Sequence, residues 1–150
     1  MHIEIDQSGK VEATRVATAL AFSNHESYVV YMSAKTKREC LEYVRALHKK
    51  PEYQYTRIFC ACLFLLIENH AERLDSILID TEYPGKNGLI KSMLIGYLSK
   101  FGIEHSKMRI HFGFVGKRAK VHEVAIETYR GKRKPDQVIT LEDIMRVLGK

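Results

Sequence analysis

The chain lacks any apolar run long enough to cross a membrane. Its strongest, Ile58 to Ile67, has ten residues against the roughly twenty that a spanning helix requires, so it reads as a buried core helix. Cysteine is scarce and odd in number. Cys40, Cys60 and Cys62 cannot all pair, and two of them sit inside the apolar run, where cysteine behaves as a small hydrophobe; a reducing, cytoplasmic setting is expected. Cys60 and Cys62 are one residue apart, which fits no zinc knuckle, and the seven histidines have no zinc-site spacing. No basic leader with a long apolar core opens the sequence, so a standard secretory signal is not expected. Missing too are internal repeats, low-complexity tracts and a domain linker.

Two motifs fall short of known site types. Gly113-Phe114-Val115-Gly116-Lys117 has glycine spacing like that of a phosphate loop but not the length or terminal Ser or Thr of a Walker motif. Ser8 has no nucleophile-elbow pattern around it. With 150 residues the chain is expected to be one domain that buries about two-thirds of its unfolded surface and needs neither metal nor disulfide to fold.

What is present is positive charge. The 24 Lys and Arg exceed 18 Asp and Glu, for a formal net charge of +6, which favours a polyanionic partner. Lys117, Arg118, Lys120, Arg130, Lys132, Arg133 and Lys134 crowd into one stretch broken only by the acids Glu123 and Glu127. Such a stretch suits a nucleic-acid backbone, and it suits equally a solvated helix face with a basic tail.

The periodicity predicts α+β or α/β architecture. His2 to Asp6 alternates as a half-buried strand, with Gln7 to Lys10 as the turn after it. Ala17 to Phe22 and Tyr28 to Met32 follow as strands, suggesting a three-strand antiparallel meander. Ala34 to Lys49 reads as an amphipathic helix with Cys40, Leu41, Val44 and Leu47 on one stripe and charges opposite. Pro51 marks a break, and Tyr55 to Asn69 reads as a helix apolar nearly all round. Ser76 to Asp80 is a short strand ending in a carboxylate, and Thr81 to Gly88 is a loop. A helix from Leu89 to Phe101, a fifth strand from Met108 to Val115 and a helix from Lys120 to Tyr129 come next. Thr140 is placed to cap a last helix from Leu141 to Leu148.

This order resembles the ribonuclease H-like superfamily, with a five-stranded mixed sheet. Ile3-Glu4-Ile5-Asp6-Gln7-Ser8-Gly9-Lys10 is similar to the family's first strand closing on Asp before a small-residue turn. Ile77-Leu78-Ile79-Asp80 resembles its fourth strand, and Val121-His122-Glu123-Val124-Ala125-Ile126 resembles the closing helix of the Holliday-junction-resolvase branch, where an acid completes the site. Cellular ribonucleases H place a Glu near the start of the buried helix, but here that position falls near Thr56 or Arg57. Glu52 is the nearest acid on the N-terminal side, and Glu68 lies toward the wrong end. The resemblance therefore runs closer to the resolvase branch, and it implies Asp6, Asp80 and Glu123 as catalytic ligands of Mg²⁺ or Mn²⁺. A further acid stays open among Glu52, Glu82 and Glu127.

That chemistry is phosphodiester hydrolysis, in which two hard cations about 4 Å apart activate the nucleophile and stabilise the leaving oxygen. Lys10, Lys117, Arg118, Lys120, Arg130, Lys132, Arg133 and Lys134 would hold the phosphates of DNA or RNA. His122 would shuttle a proton or orient a water. Each residue has a plainer role as well. Asp6 and Asp80 suit turns, and Glu123 and Glu127 suit surface pairs with Lys120 and Arg130; Tyr53 and Tyr55 suit core or rim packing as readily as base stacking. The alternative function is a non-catalytic nucleic-acid-binding or assembly domain on the same fold. A third reading is an interaction protein whose last helix, with Leu141, Ile144, Met145 and Leu148 on one stripe, packs on a partner or a second copy as a homodimer.

Overall fold

The computed structural model describes residues 1–47 and 50–149, with the side chains of Pro51 and Glu52 outside that description. The strands are β1 (His2–Ser8), β2 (Thr18–Ser23), β3 (Ser27–Met32), β4 (Ser76–Asp80), β5 (Arg109–Gly113) and β6 (Gln137–Val138). The α-helices are α1 (Ala34–Leu47), α2 (Pro51–Ile67), α3 (Asn87–Lys100), α4 (Lys120–Tyr129) and α5 (Leu141–Leu148). One mixed sheet in the order β5-β4-β1-β2-β3-β6 takes in every strand. Only β2 runs against its neighbours; β1 with β4, β4 with β5, and β3 with β6 are parallel pairs.

The sheet has six strands rather than the expected five. The extra strand, β6, is two residues long, too short to leave an alternating pattern. Strand β1 runs on to Ser8, so Asp6 lies within it, paired opposite Ala21 of β2. Pro51 begins α2, where its missing N–H would have had no helical partner anyway. Of the predicted Ala34 to Lys49 helix, His48 and Lys49 lie outside the described residues.

The two faces of the sheet carry different loads. Ile3, Ile5, Leu20, Phe22, Ile77 and Ile79 bury against α2, whose segment Ile58–Ile67 is buried throughout, together with α1, α3 and α5. On the other face Ala19, Ala21 and Val29 pack under α4 through Val121, Val124 and Ala125. The small alanines of β2 let α4 approach closely. The period-2 alternation of β1 sends Ile3, Ile5 and Gln7 toward α2 and Glu4, Asp6 and Ser8 toward α4. Asp6 is therefore committed to the α4 face.

Two contacts fix the segment after β1. Gly9 has φ +79°, and a Cβ there would fall 2.1 Å from the Ala17 carbonyl oxygen and 2.6 Å from the Tyr129 ring, so only glycine fits. Lys37, on the buried stripe of α1, is fully buried. Its Nζ donates to the carbonyls of Lys10 at 3.0 Å, Ala13 at 3.0 Å and Val16 at 2.8 Å. Burial pulls its pKa down to about 8, while three acceptors for three N–H bonds favour the ammonium. Leu47, expected on the same stripe, is 46% exposed.

Helix α5 begins with the expected cap. Thr140 and Asp143 form a reciprocal capping box, and Ile144 and Val147 bury in the chain's own core. No helix among the described residues is long and apolar enough to cross a membrane.

Candidate functional site

Strands β1 and β4 run in parallel register from His2 beside Ser76 to Ile5 beside Ile79. One further step puts Asp6 next to Asp80, toward the carboxyl ends of adjacent strands, the edge at which open α/β sheets bind ligands. Carboxylate oxygens of Asp6, Asp80 and Glu82 lie within 4.8 Å of one another. Two of these acids were predicted as ligands. Glu82, among the acids left open by the sequence, joins them from the loop after β4.

Hydrogen bonds hold each acid in place. Asp6, 4% exposed, accepts at Oδ1 from the Gln7 N–H at 2.8 Å. Its Oδ2 lies 2.9 Å from Nδ1 of His122 on α4. A carboxylate accepts only, so Nδ1 carries the proton and, in the neutral ring, Nε2 carries the lone pair. Asp80 accepts at Oδ1 from the Val115 N–H at 2.7 Å, and the Thr81 N–H donates to the Gly113 carbonyl at 2.9 Å. The ends of β4 and β5 are thus tied together at the acids.

Glu82 owes its place to its neighbour. The Tyr83 ring packs edge-on to Phe59, and its hydroxyl accepts from Gln7 Nε2 and the Val11 N–H, both at 3.4 Å. With Tyr83 anchored toward α2, Glu82 is left beside the acid pair. Desolvation, a hydrogen bond with Asp80 and the charges of Asp80 and Asp6 push the Glu82 carboxyl up to about 8, against a small opposing pull from Lys10. Burial and neighbouring negative charge both disfavour the ionised form of Glu82. A hollow of about 360 Å³ opens beside Glu82, lined also by Lys10, Tyr55, Thr56 and Lys86. Thr56, which stands where the resemblance would put a helical acid, borders the same hollow.

Glu123 does not join the cluster. It is exposed on α4, and the neighbouring His122 takes the inward contact with Asp6. One position on a helix is a turn of about 100°, so both residues cannot face the acids. Glu127 lies on α4 outside the group of three, and the side chain of Glu52 lies outside the described residues. Lys10, Lys117, Arg118, Lys120, Arg130, Lys132, Arg133 and Lys134 are all exposed. Lys117 and Arg118 lie on the connection from β5 into α4 and Lys120 is the first residue of α4, whereas Lys132, Arg133 and Lys134 line a groove of about 390 Å³ with Tyr31 and Val138 near β6. Tyr53 is half-buried, with the ammonium of Lys86 5.4 Å from its ring centre. The three cysteines are free and buried, and burial pushes the Cys40 thiol up to about 12, which removes it as a nucleophile at neutral pH.

No protein-family model matches the chain, and no curated protein sequence matches it. Mixed α/β architecture around one six-stranded sheet is the class that the fold defines.

Proposed function

We propose that the chain is a metal-dependent nuclease of the ribonuclease H-like class that hydrolyses phosphodiester bonds of nucleic acid. The observation that carries the reading is the approach of Asp6, Asp80 and Glu82 to within 4.8 Å of one another on neighbouring parallel strands. The donor set is all oxygen, which suits Mg²⁺ or Mn²⁺, and burial beside Asp80 and Asp6 raises the Glu82 carboxyl, an environment that a bound cation would offset. Asp6, Asp80 and Glu82 would hold the cation, with Glu82 in the part first assigned to Glu123. When bound, the cation supplies Lewis acidity at the phosphate and lowers the pKa of the attacking water.

The chain's own residues do the rest. Asp6 fixes the tautomer of His122 and leaves Nε2 as an acceptor able to take a proton from a nucleophile or orient it. Lys117, Arg118 and Lys120 hold the flanking phosphates. Binding without hydrolysis is the second reading, and one observation favours it: Asp6 and Asp80 each already accept a backbone N–H, as structural acids do.

Cleavage of labelled single-stranded, duplex and branched DNA and RNA, with Mg²⁺, with Mn²⁺ and with chelator, separates the two. We expect metal-dependent cleavage of at least one substrate, lost by about a hundredfold or more in Asp6→Asn and Glu82→Gln and retained in Glu123→Gln. Salt-sensitive binding with no cleavage under either metal would establish the second reading instead.

A further inference from the structure

Phe114 is the most exposed large apolar side chain among the described residues, at 87%. A single exposed apolar residue is ordinary on a protein surface, but the backbone around this one is not free. On one side the Gly113 carbonyl accepts from the Thr81 N–H at 2.9 Å. On the other, the Val115 N–H donates to Asp80 Oδ1 at 2.7 Å while the Val115 side chain buries under α4. Phe114 lies between two residues bonded to Asp80 and Thr81, at the end of β4.

The ring is in water, carried on the residue between Gly113, which pairs with Asp80, and Val115, whose N–H donates to the Asp80 carboxylate. Gly116, Lys117 and Arg118 follow, all three open to solvent to some degree and the two cations fully exposed. An exposed aromatic ring on backbone that adjoins Asp80, with two exposed cations three and four residues further on, suits one ligand chemistry, a nucleobase attached to its own phosphate. A base inside a continuous duplex has both faces covered by its neighbours. Only an unpaired or unstacked base has a face to give.

We infer that Phe114 stacks on an unpaired nucleobase next to the phosphate at the Asp6–Asp80–Glu82 cluster, so that the substrate is single-stranded or locally unpaired nucleic acid. This rests on the nuclease reading above and adds the form of the substrate to it.

The chain has no tryptophan, so Phe114→Trp places a sole indole reporter at the stacking position. Titration of that variant with oligothymidylate, oligouridylate and a blunt DNA duplex should quench indole emission with the single strands and not with the duplex. In the wild-type background Phe114→Ala and Phe114→Leu should each weaken single-strand binding about tenfold or more and leave duplex binding unchanged. Leu keeps apolar bulk without a π face, and because the side chain lies in solvent neither change should alter the melting temperature.

Equal single-strand affinity in wild type, Phe114→Ala and Phe114→Leu, with cleavage intact, would overturn the stacking role and leave the nuclease reading standing. Quenching by duplex as strong as by single strand would overturn it as well. A wild-type chain that bound neither single strand would overturn the stacking role, while the nuclease reading falls only if none of the single-stranded, duplex and branched substrates is cut; Glu82→Gln, which spares Phe114, tells loss of cleavage from loss of stacking.

Discussion

A carboxyl group that keeps its proton to about pH 8 links the acid cluster to the stability of the whole chain. From about pH 4.5, the ordinary value for Glu82, up to about 8, the folded chain holds a proton that the unfolded chain has released. Rising pH therefore favours unfolding across that window. We expect the melting temperature of the metal-free protein to fall between pH 5 and pH 8, with this part of the slope gone in Glu82→Gln. Added Mn²⁺ competes with the same proton, so its stabilising effect should grow over the same interval. Thermal melts at several pH values, with and without Mn²⁺, check both signs. The approach of Asp6 to Asp80 could be anticipated from the sequence because each stands at or near the end of a recognisable strand. That of Glu82 could not, since a loop has no period and its position depends on where Tyr83 is anchored. Glu123 missed by a single helical step, and His122, the residue beside it, holds the contact.

At the scale of elements, the order of strands and helices follows from hydrophobic period and turn residues, and α4 and α5 have the predicted bounds. Errors gather where a residue type points the wrong way. Lys37 shares the spacing of Cys40, Leu41 and Val44 and so belongs to the buried stripe, but its charge hides it among the solvent-facing lysines. Pro51 reads as a breaker and serves as a first turn. Gly9 reads as ordinary turn chemistry, yet its necessity comes from Ala17 and Tyr129, which meet it only in the folded chain. Gly9→Ala should cost more than about 1 kcal/mol, because the positive φ and the close carbonyl both oppose a Cβ. Urea denaturation measures it. The turn also seats the last residue of α4, so on the proposed function the variant should lose metal-dependent cleavage in conditions where it remains folded.

Over the whole molecule, cations gather at the two ends of α4. The carboxylates of the site sit at one edge of the sheet, while the excess of Lys and Arg is carried on the chain leading into and out of α4. α4 has ten residues, so its ends are about 15 Å apart. Cations at both ends allow one strand to meet several phosphate contacts along the helix. Affinity for single-stranded nucleic acid should fall with salt, and replacing Lys132, Arg133 and Lys134 together by alanine should reduce the log–log salt slope by up to about 2. An unchanged slope would place the backbone elsewhere. Composition alone pointed to a polyanion; which end of the charged stretch adjoins the acids emerges only once α4 is laid across the sheet.

The bonds from Lys37 to three carbonyls have a consequence for proteolysis. Residues 10–17 form no regular secondary structure and offer trypsin two basic sites, Lys10 and Arg15, both exposed. Cleavage requires a segment to unfold locally into the protease cleft, and this one is tethered near its start, middle and end to a buried ammonium. Limited digestion should leave it intact in the wild type and nick it early in Lys37→Met, where three carbonyls lose their donor together. Mass mapping of the first fragments would then report whether a stretch that looks like a loop behaves, in time, like part of the core.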